Sequence, residues 1–202
     1  MSKRDTVTAQ DGGGAGVAVG SLDALGWKCL TRAELYYQHP DGTPKHWKNA
    51  DGSRNTPDAV VEVPGNLLLN GGGSLLWEYA IGNGSATTSS AKKFLNGTAA
   101  LGVSTSTSAA AATQTDLQGT TKWYKVMSAG YPTHTTGTAS TAMVAVFRST
   151  WTATEANIAW KEWGIFNKVS GAGKAMLNRK VQTLLTKTSA ATATLTATIT
   201  LS

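Results

Sequence analysis

The sequence predicts a mainly β chain: an antiparallel β-sandwich or jelly-roll-like domain with one short helix and an extended N-terminal arm. Three observations lead there. The run from Thr192 to Leu201 alternates without a break, with Ala193, Leu195, Ala197, Ile199 and Leu201 on one side and Thr192, Thr194, Thr196, Thr198 and Thr200 on the other. A repeat of two is what a strand with one buried and one wet face requires. β-favouring segments recur through the second half of the chain with turn signals rather than helices between them, the pattern of a sandwich. Finally, EANIAWKEWGIFNK at Glu155–Lys168 gathers Trp160, Trp163, Ile165 and Phe166, enough apolar bulk to centre an antiparallel core with the final strands beside it.

Taken in order, residues 1–57 are expected to form an extended arm and a turn-rich segment, and residues 58–202 the sandwich domain. Met1–Ser21 is small, polar and Gly-rich; its glycines match neither a P-loop ending nor the dinucleotide-binding spacing. It lacks the apolar h-region of a secretory signal, and no apolar run reaches the length of a membrane span, so synthesis in a cytosol without a membrane span is expected. Trp27–Gln38 alternates weakly and suits a strand. Asp41-Gly42 and Asp51-Gly52 are turn signals. His39 and His46 have no metal-ligand spacing, and Asp41 and Asp51 lack the companions of a calcium loop. Turn chemistry accounts for all four.

Ala59–Val63 reads as a short strand stopped by Pro64-Gly65. Asn66–Ile81 is the best helix candidate, with Leu68, Leu69, Leu75, Leu76, Tyr79 and Ala80 on its buried face and Gly82 or Gly84 at its end. Gly71–Gly73 oppose a continuous helix, since each glycine costs about 1 kcal/mol against alanine. Either the helix is confined to a region near 73–81, or a close backbone contact demands small residues there. After a loop over Gly82–Lys92, strands are expected at Phe94–Val103, Thr121–Met127, Thr141–Ser149, Glu155–Trp163, Lys174–Thr186 and Thr192–Leu201. Ser104–Thr115 is a Ser/Thr/Ala connection. Ala142–Phe147 is apolar on both faces, as in a strand buried between two layers.

Composition points away from a typical enzyme. Charged residues make up 15%, against about 25% in an average soluble domain, and suit a structural protein partly covered by neighbours. The net charge of +6 is spread over scattered Lys and Arg residues with no polybasic run, which speaks against nucleic acid as a partner. Cys29 is the sole cysteine, so neither an internal disulfide nor a thiolate zinc site can form. No Gly-x-Ser-x-Gly elbow occurs, and nothing ties Cys29 to His134 as nucleophile and base. Glu155 and Glu162 could form a glycosidase pair, but on a straight strand their odd separation sends them to opposite faces; a bulge would alter that. Glu162 is expected to pair with Arg148, Lys161 or Arg179 at a layer edge. Trp151, Trp160, Trp163 and Phe166 could form a stacking platform for host-surface glycan, though aromatics in β proteins more often serve core or interface. The expectation is therefore no catalytic, cofactor-binding or metal residue, with Trp151, Glu155, Trp160, Glu162, Trp163 and Phe166 serving core or assembly.

The order of several blocks resembles a widespread family of small bacteriophage virion structural proteins. The blocks are LLWEYAIGNG at Leu75–Gly84, AALGVSTS at Ala99–Ser106, TDLQGT at Thr115–Thr120, the E-x-N-x-x-W-x-E-x-G-I-F-N run at Glu155–Asn167, M-L-x-R at Met176–Arg179 and the closing Thr-rich strand. The resemblance spans Asn66 to Ser202; the residues before Pro57 lie outside it. It implies a non-enzymatic part of a tail, baseplate, neck or capsid surface, homo-oligomeric and in contact with other virion proteins, made in the host bacterial cytoplasm and located in the virion. The alternative is a receptor- or carbohydrate-binding module of the particle.

Overall fold

The computed structural model describes residues 26–45, 57–82 and 92–201. Among these residues the chain is mainly antiparallel β, with two sheets and one α-helix. The elements are β1 (Trp27–Tyr37), β2 (Ala59–Pro64), β3 (Leu67–Leu68), α1 (Asn70–Ile81), β4 (Ala100–Ser104), β5 (Lys122–Val126), β6 (Thr133–His134), β7 (Val144–Trp151), β8 (Ala159–Phe166), β9 (Met176–Thr186) and β10 (Ala191–Leu201). One sheet runs β2-β1-β10-β7-β6 and the other β3-β9-β8-β4-β5.

The alternating strand and the aromatic strand are each the middle of a sheet. Ala193, Leu195, Ala197 and Ile199 of β10 are buried, and the threonines between them face outward, partly or almost wholly covered. The core joins them to Cys29, Ala33 and Leu35 of β1, Phe147 and Trp151 of β7, Leu101 and Val103 of β4, Trp160, Trp163 and Ile165 of β8, and Leu177 and Leu184 of β9. Trp151 and Trp160 meet edge to face at 4.8 Å. Of the two final strands, β9 lies beside the aromatic strand, whereas β10 belongs to the opposite sheet.

Five expectations change. The sandwich does not begin at residue 58: β1 pairs with β10 along its full length, from Trp27↔Leu201 to Tyr37↔Ala191. Its Cys29, Thr31, Ala33 and Leu35 alternate into the interior, a period-two signal weakened in the sequence by the polar Thr31. The helix starts at Asn70 rather than near 73 and keeps all three glycines, so of the two expected alternatives the close backbone contact holds. Gly72 explains this, because a Cβ there would lie 2.2 Å from the Leu177 carbonyl oxygen. Leu76 and Ala80 are exposed rather than part of a buried face, which Leu69 and Leu75 supply. Ala142–Phe147 is not covered on both sides. Met143 is exposed and Val144–Val146 half-buried, because a 3-10 turn at Ser140–Met143 leads into β7 and the two-residue β6 is its outer neighbour. The strand foreseen from Phe94 forms only at Ala100; Thr98 and Ala99 N–H groups instead close a turn on the Leu95 carbonyl. Met1–Ser21, His46 and Asp51 lie outside the described residues.

The second sheet is covered on its outer face as well. Gly102 and Gly164 sit opposite each other on β4 and β8, leaving room for Leu117, Tyr124, Phe166 and Met176. With Leu69 and Ala100 these form a second apolar cluster beneath the segment that leads from β4 to β5. Asn70 N–H donates to the Ala112 carbonyl at 2.9 Å, so the same segment also ties down the start of α1.

Candidate functional site

Glu162 points to that covered outer face and is fully buried. Its Oε1 accepts the backbone N–H groups of Gln118 and Gly119, both at 2.8 Å, and its Oε2 accepts Arg179 Nε at 2.7 Å and also Nη2. Arg179, equally buried, spends its remaining donors on the Ala109 carbonyl at 3.0 Å, Gln114 Oε1 at 2.8 Å and the Ser108 carbonyl at 3.0 Å. The pair is thus not the layer-edge contact expected, but a buried post on which the Ser/Thr/Ala segment folds back over the sheet. Both carboxylate oxygens are saturated by donors, the arrangement of a structural anion rather than a proton carrier.

Glu155 lies elsewhere, in the turn between β7 and β8. Its Oε1 meets Lys125 Nζ at 2.6 Å, and its Oε2 accepts Thr152 N–H at 2.8 Å and the Thr152 hydroxyl at 3.0 Å. Burial pushes its carboxyl up, but the bonds from Lys125 and Thr152 outweigh this and hold it below its ordinary range. A bulge does follow Trp160, yet the two glutamates serve different elements: Glu155 joins β5 to the turn before β8, and Glu162 anchors the cover of the outer face. They share no bonding partner.

Trp151, Trp160, Trp163 and Phe166 have no exposed surface, so none of them can stack on a glycan. Trp160 Nε1 donates to the Ala156 carbonyl at 3.0 Å. Phe166 packs edge to face with Tyr124 at 5.1 Å, and Lys174 Nζ sits 3.6 Å from the centre of the Tyr124 ring. Tyr124 hydroxyl and Lys174 both reach Asp116, at 2.6 and 3.1 Å. Burial raises the Asp116 carboxyl, and those two contacts more than reverse the effect. Asp41 is engaged in its own turn, accepting the Thr43 N–H and hydroxyl. Among the described residues no three His, Cys, Asp or Glu side chains gather as metal ligands, and no helix is long and apolar enough to cross a membrane.

Two features were missed in the sequence. Lys187, in the β9–β10 turn, is only 1% exposed. Its Nζ donates to Asn157 Oδ1 at 2.7 Å and to the Ala153 and Thr188 carbonyls at 3.3 and 3.4 Å. Desolvation lowers its pKa to about 8. The TKTS context reads as a wet turn, so nothing local marked the lysine as buried. The second feature is the outer side of α1, where Trp77 and Ile81, one helical turn apart, are 67% and 65% exposed. The i, i+4 spacing was visible, but the neighbouring leucines suggested a buried helix. An open groove lies beside Asn66, Ala109 and Lys180, and Arg179, its one guanidinium, is consumed by the bonds above. Compared with family models, with curated proteins and with solved structures, the chain matches none.

Proposed function

We propose that this chain is a non-enzymatic structural protein of a bacteriophage particle, docked at its tail, baseplate, neck or capsid surface as part of a homo-oligomer. The observation that carries the reading is the disposition of its side chains: the charged groups in the core hold the fold, while bulky apolar groups stand in solvent on α1. Trp77 and Ile81 are the most exposed large hydrophobics among the described residues. Isolated apolar residues on a surface need no explanation, but a Trp/Ile pair beside the half-exposed Leu76 on one helix suits a contact surface. A second copy of this chain is its natural occupant: the chain carries +6 overall, yet α1 contains no basic residue, so two copies meet there without bringing cations together. The block resemblance from Asn66 to Ser202 supplies the virion context.

Among the described residues a receptor or glycan role would draw on the exposed Tyr37, Trp77 and Trp123, because the aromatic cluster that first suggested it is sealed in the core. Immunogold labelling of intact particles tests the proposal, with labelling at a defined place on the virion expected. Absence of the protein from purified particles would remove the structural reading. Binding to a host-glycan array that is lost on Trp77→Ala would replace it with the receptor reading.

A further inference from the structure

We propose that Lys187 and Asn157 condense into an intramolecular amide: Nζ attacks Asn157 Cγ, the Cγ–Nδ2 bond breaks, and ammonia leaves. The two groups are already in contact, with Nζ 2.7 Å from Oδ1, and Cγ lies one carbonyl bond beyond that oxygen. Holding a nucleophile against its electrophile in this way turns a bimolecular reaction into a unimolecular one. The step balances without any further reagent. The neutral lysine amine and the carboxamide give a secondary amide and ammonia; one proton passes from Nζ to the departing nitrogen, and nothing is oxidised or reduced.

The surroundings favour the amine over other fates. All three acceptors at Nζ are neutral oxygens, from Asn157, Ala153 and Thr188, so no bonded carboxylate locks the lysine as an ammonium. Burial then favours the neutral, nucleophilic form. The charge that acts on it is that of Glu155, whose carboxylate is itself held by Lys125 and Thr152. The amide is equally well placed. Its Nδ2 donates to the Ala153 carbonyl at 2.9 Å, which fixes the plane of the carboxamide. Asn157 is exposed, which gives ammonia a way out while Nζ stays sheltered.

Backbone strain supports the same site. Ala156, immediately before Asn157, has φ 49°, in the left-handed region that residues other than glycine rarely occupy. Its carbonyl accepts both Trp160 Nε1 and the Ile158 N–H, so the core clamps the turn in this conformation. The new bond would join the β7–β8 turn to the β9–β10 turn. Each of those turns carries the chain from one sheet to the other, so a single covalent link would staple both crossovers at one end of the sandwich.

Mass spectrometry of the intact, denatured chain decides the matter without any variant. The expected mass is below that of the sequence by one ammonia, either at purification or after incubation at pH 9. Tryptic digestion should then give a branched peptide joining Asn157 to Lys187, with no cleavage after Lys187. Lys187→Arg and Asn157→Ala should each restore the full mass. A full sequence mass after incubation at pH 9 would overturn the proposal. So would an ammonia loss that maps to an Asn-Gly step such as Asn96-Gly97, where cyclisation of the backbone gives the same change in mass.

Discussion

Replacing Glu162 by Gln would keep the shape of the side chain and remove the charge that Arg179 faces. Arg179 would then be a buried cation without a counter-ion, and breaking a buried pair from one side costs about 3–5 kcal/mol. We expect a loss of that size in denaturant unfolding. Replacing both residues by methionine should not restore stability, unlike many paired replacements, because the backbone groups of Ser108, Ala109, Gln118 and Gly119 that the pair now satisfies would be left without partners. Recovery to wild-type stability in the double variant would show that the pair does not hold the covering segment. Cys29 gives a second residue-scale prediction. Burial pushes its thiol up to about 11, with a weak contact to Thr31 as its polar neighbour. Native protein at pH 8 should therefore resist thiol reagents until it unfolds. Acid acts through Glu155 and Asp116, both held below their ordinary values. Below pH 4.5 the unfolded chain takes up protons at Glu155 that the folded chain refuses. The stability these contacts contribute is complete above that range and fades as pH falls. Urea titrations from pH 6 to pH 3 should show this slope, reduced in Glu155→Gln.

At the scale of elements, α1 makes opposite predictions for two adjacent glycines. Alanine is better than glycine in a helix by about 1 kcal/mol. At Gly71 nothing lies within 4 Å of the added methyl, so Gly71→Ala should stabilise by up to about that amount. At Gly72 the methyl would fall 2.2 Å from the Leu177 oxygen and 2.6 Å from its Cα, and α1 would have to move off β9. Gly72→Ala should destabilise despite its better propensity, and thermal unfolding of the two variants should shift in opposite directions. The same contact shows why the start of the helix was hard to read. Glycine in a helix looks like an interruption until the strand beneath it is known. β10 and β8 were legible because alternation and aromatic density are local properties of the chain. The role of Glu162 was half legible: Arg179 was among its foreseen partners, but burial depends on a covering segment of Ser, Thr and Ala with no periodicity to place it. β1 was recognisable as a strand, yet the dense turn signals after it obscured its membership of the sandwich.

For the whole molecule, the question is which surface can meet another copy. Sheet edges are the usual hazard, since an unpaired strand offers a row of free N–H and C=O groups. Among the described residues these edges are blunted: β3 and β6 are two residues long, β2 ends in Pro64, and β5 begins at the exposed Lys122. Association through the edges is therefore disfavoured, and α1 carries the two most exposed large hydrophobic side chains among the described residues. We expect the full chain to associate in a concentration-dependent manner in sedimentation velocity, and Trp77→Ser/Ile81→Ser to remain monomeric over the same range. Both side chains stand mostly in solvent, so their removal should change the stability of the fold by no more than about 0.5 kcal/mol. That separation makes the experiment decisive. A variant that unfolds early would show that these residues support the helix rather than an interface. A stable variant that associates as strongly as the parent would move the contact away from α1, leaving the exposed Trp123 and Val126 on β5 as the next surface to mutate.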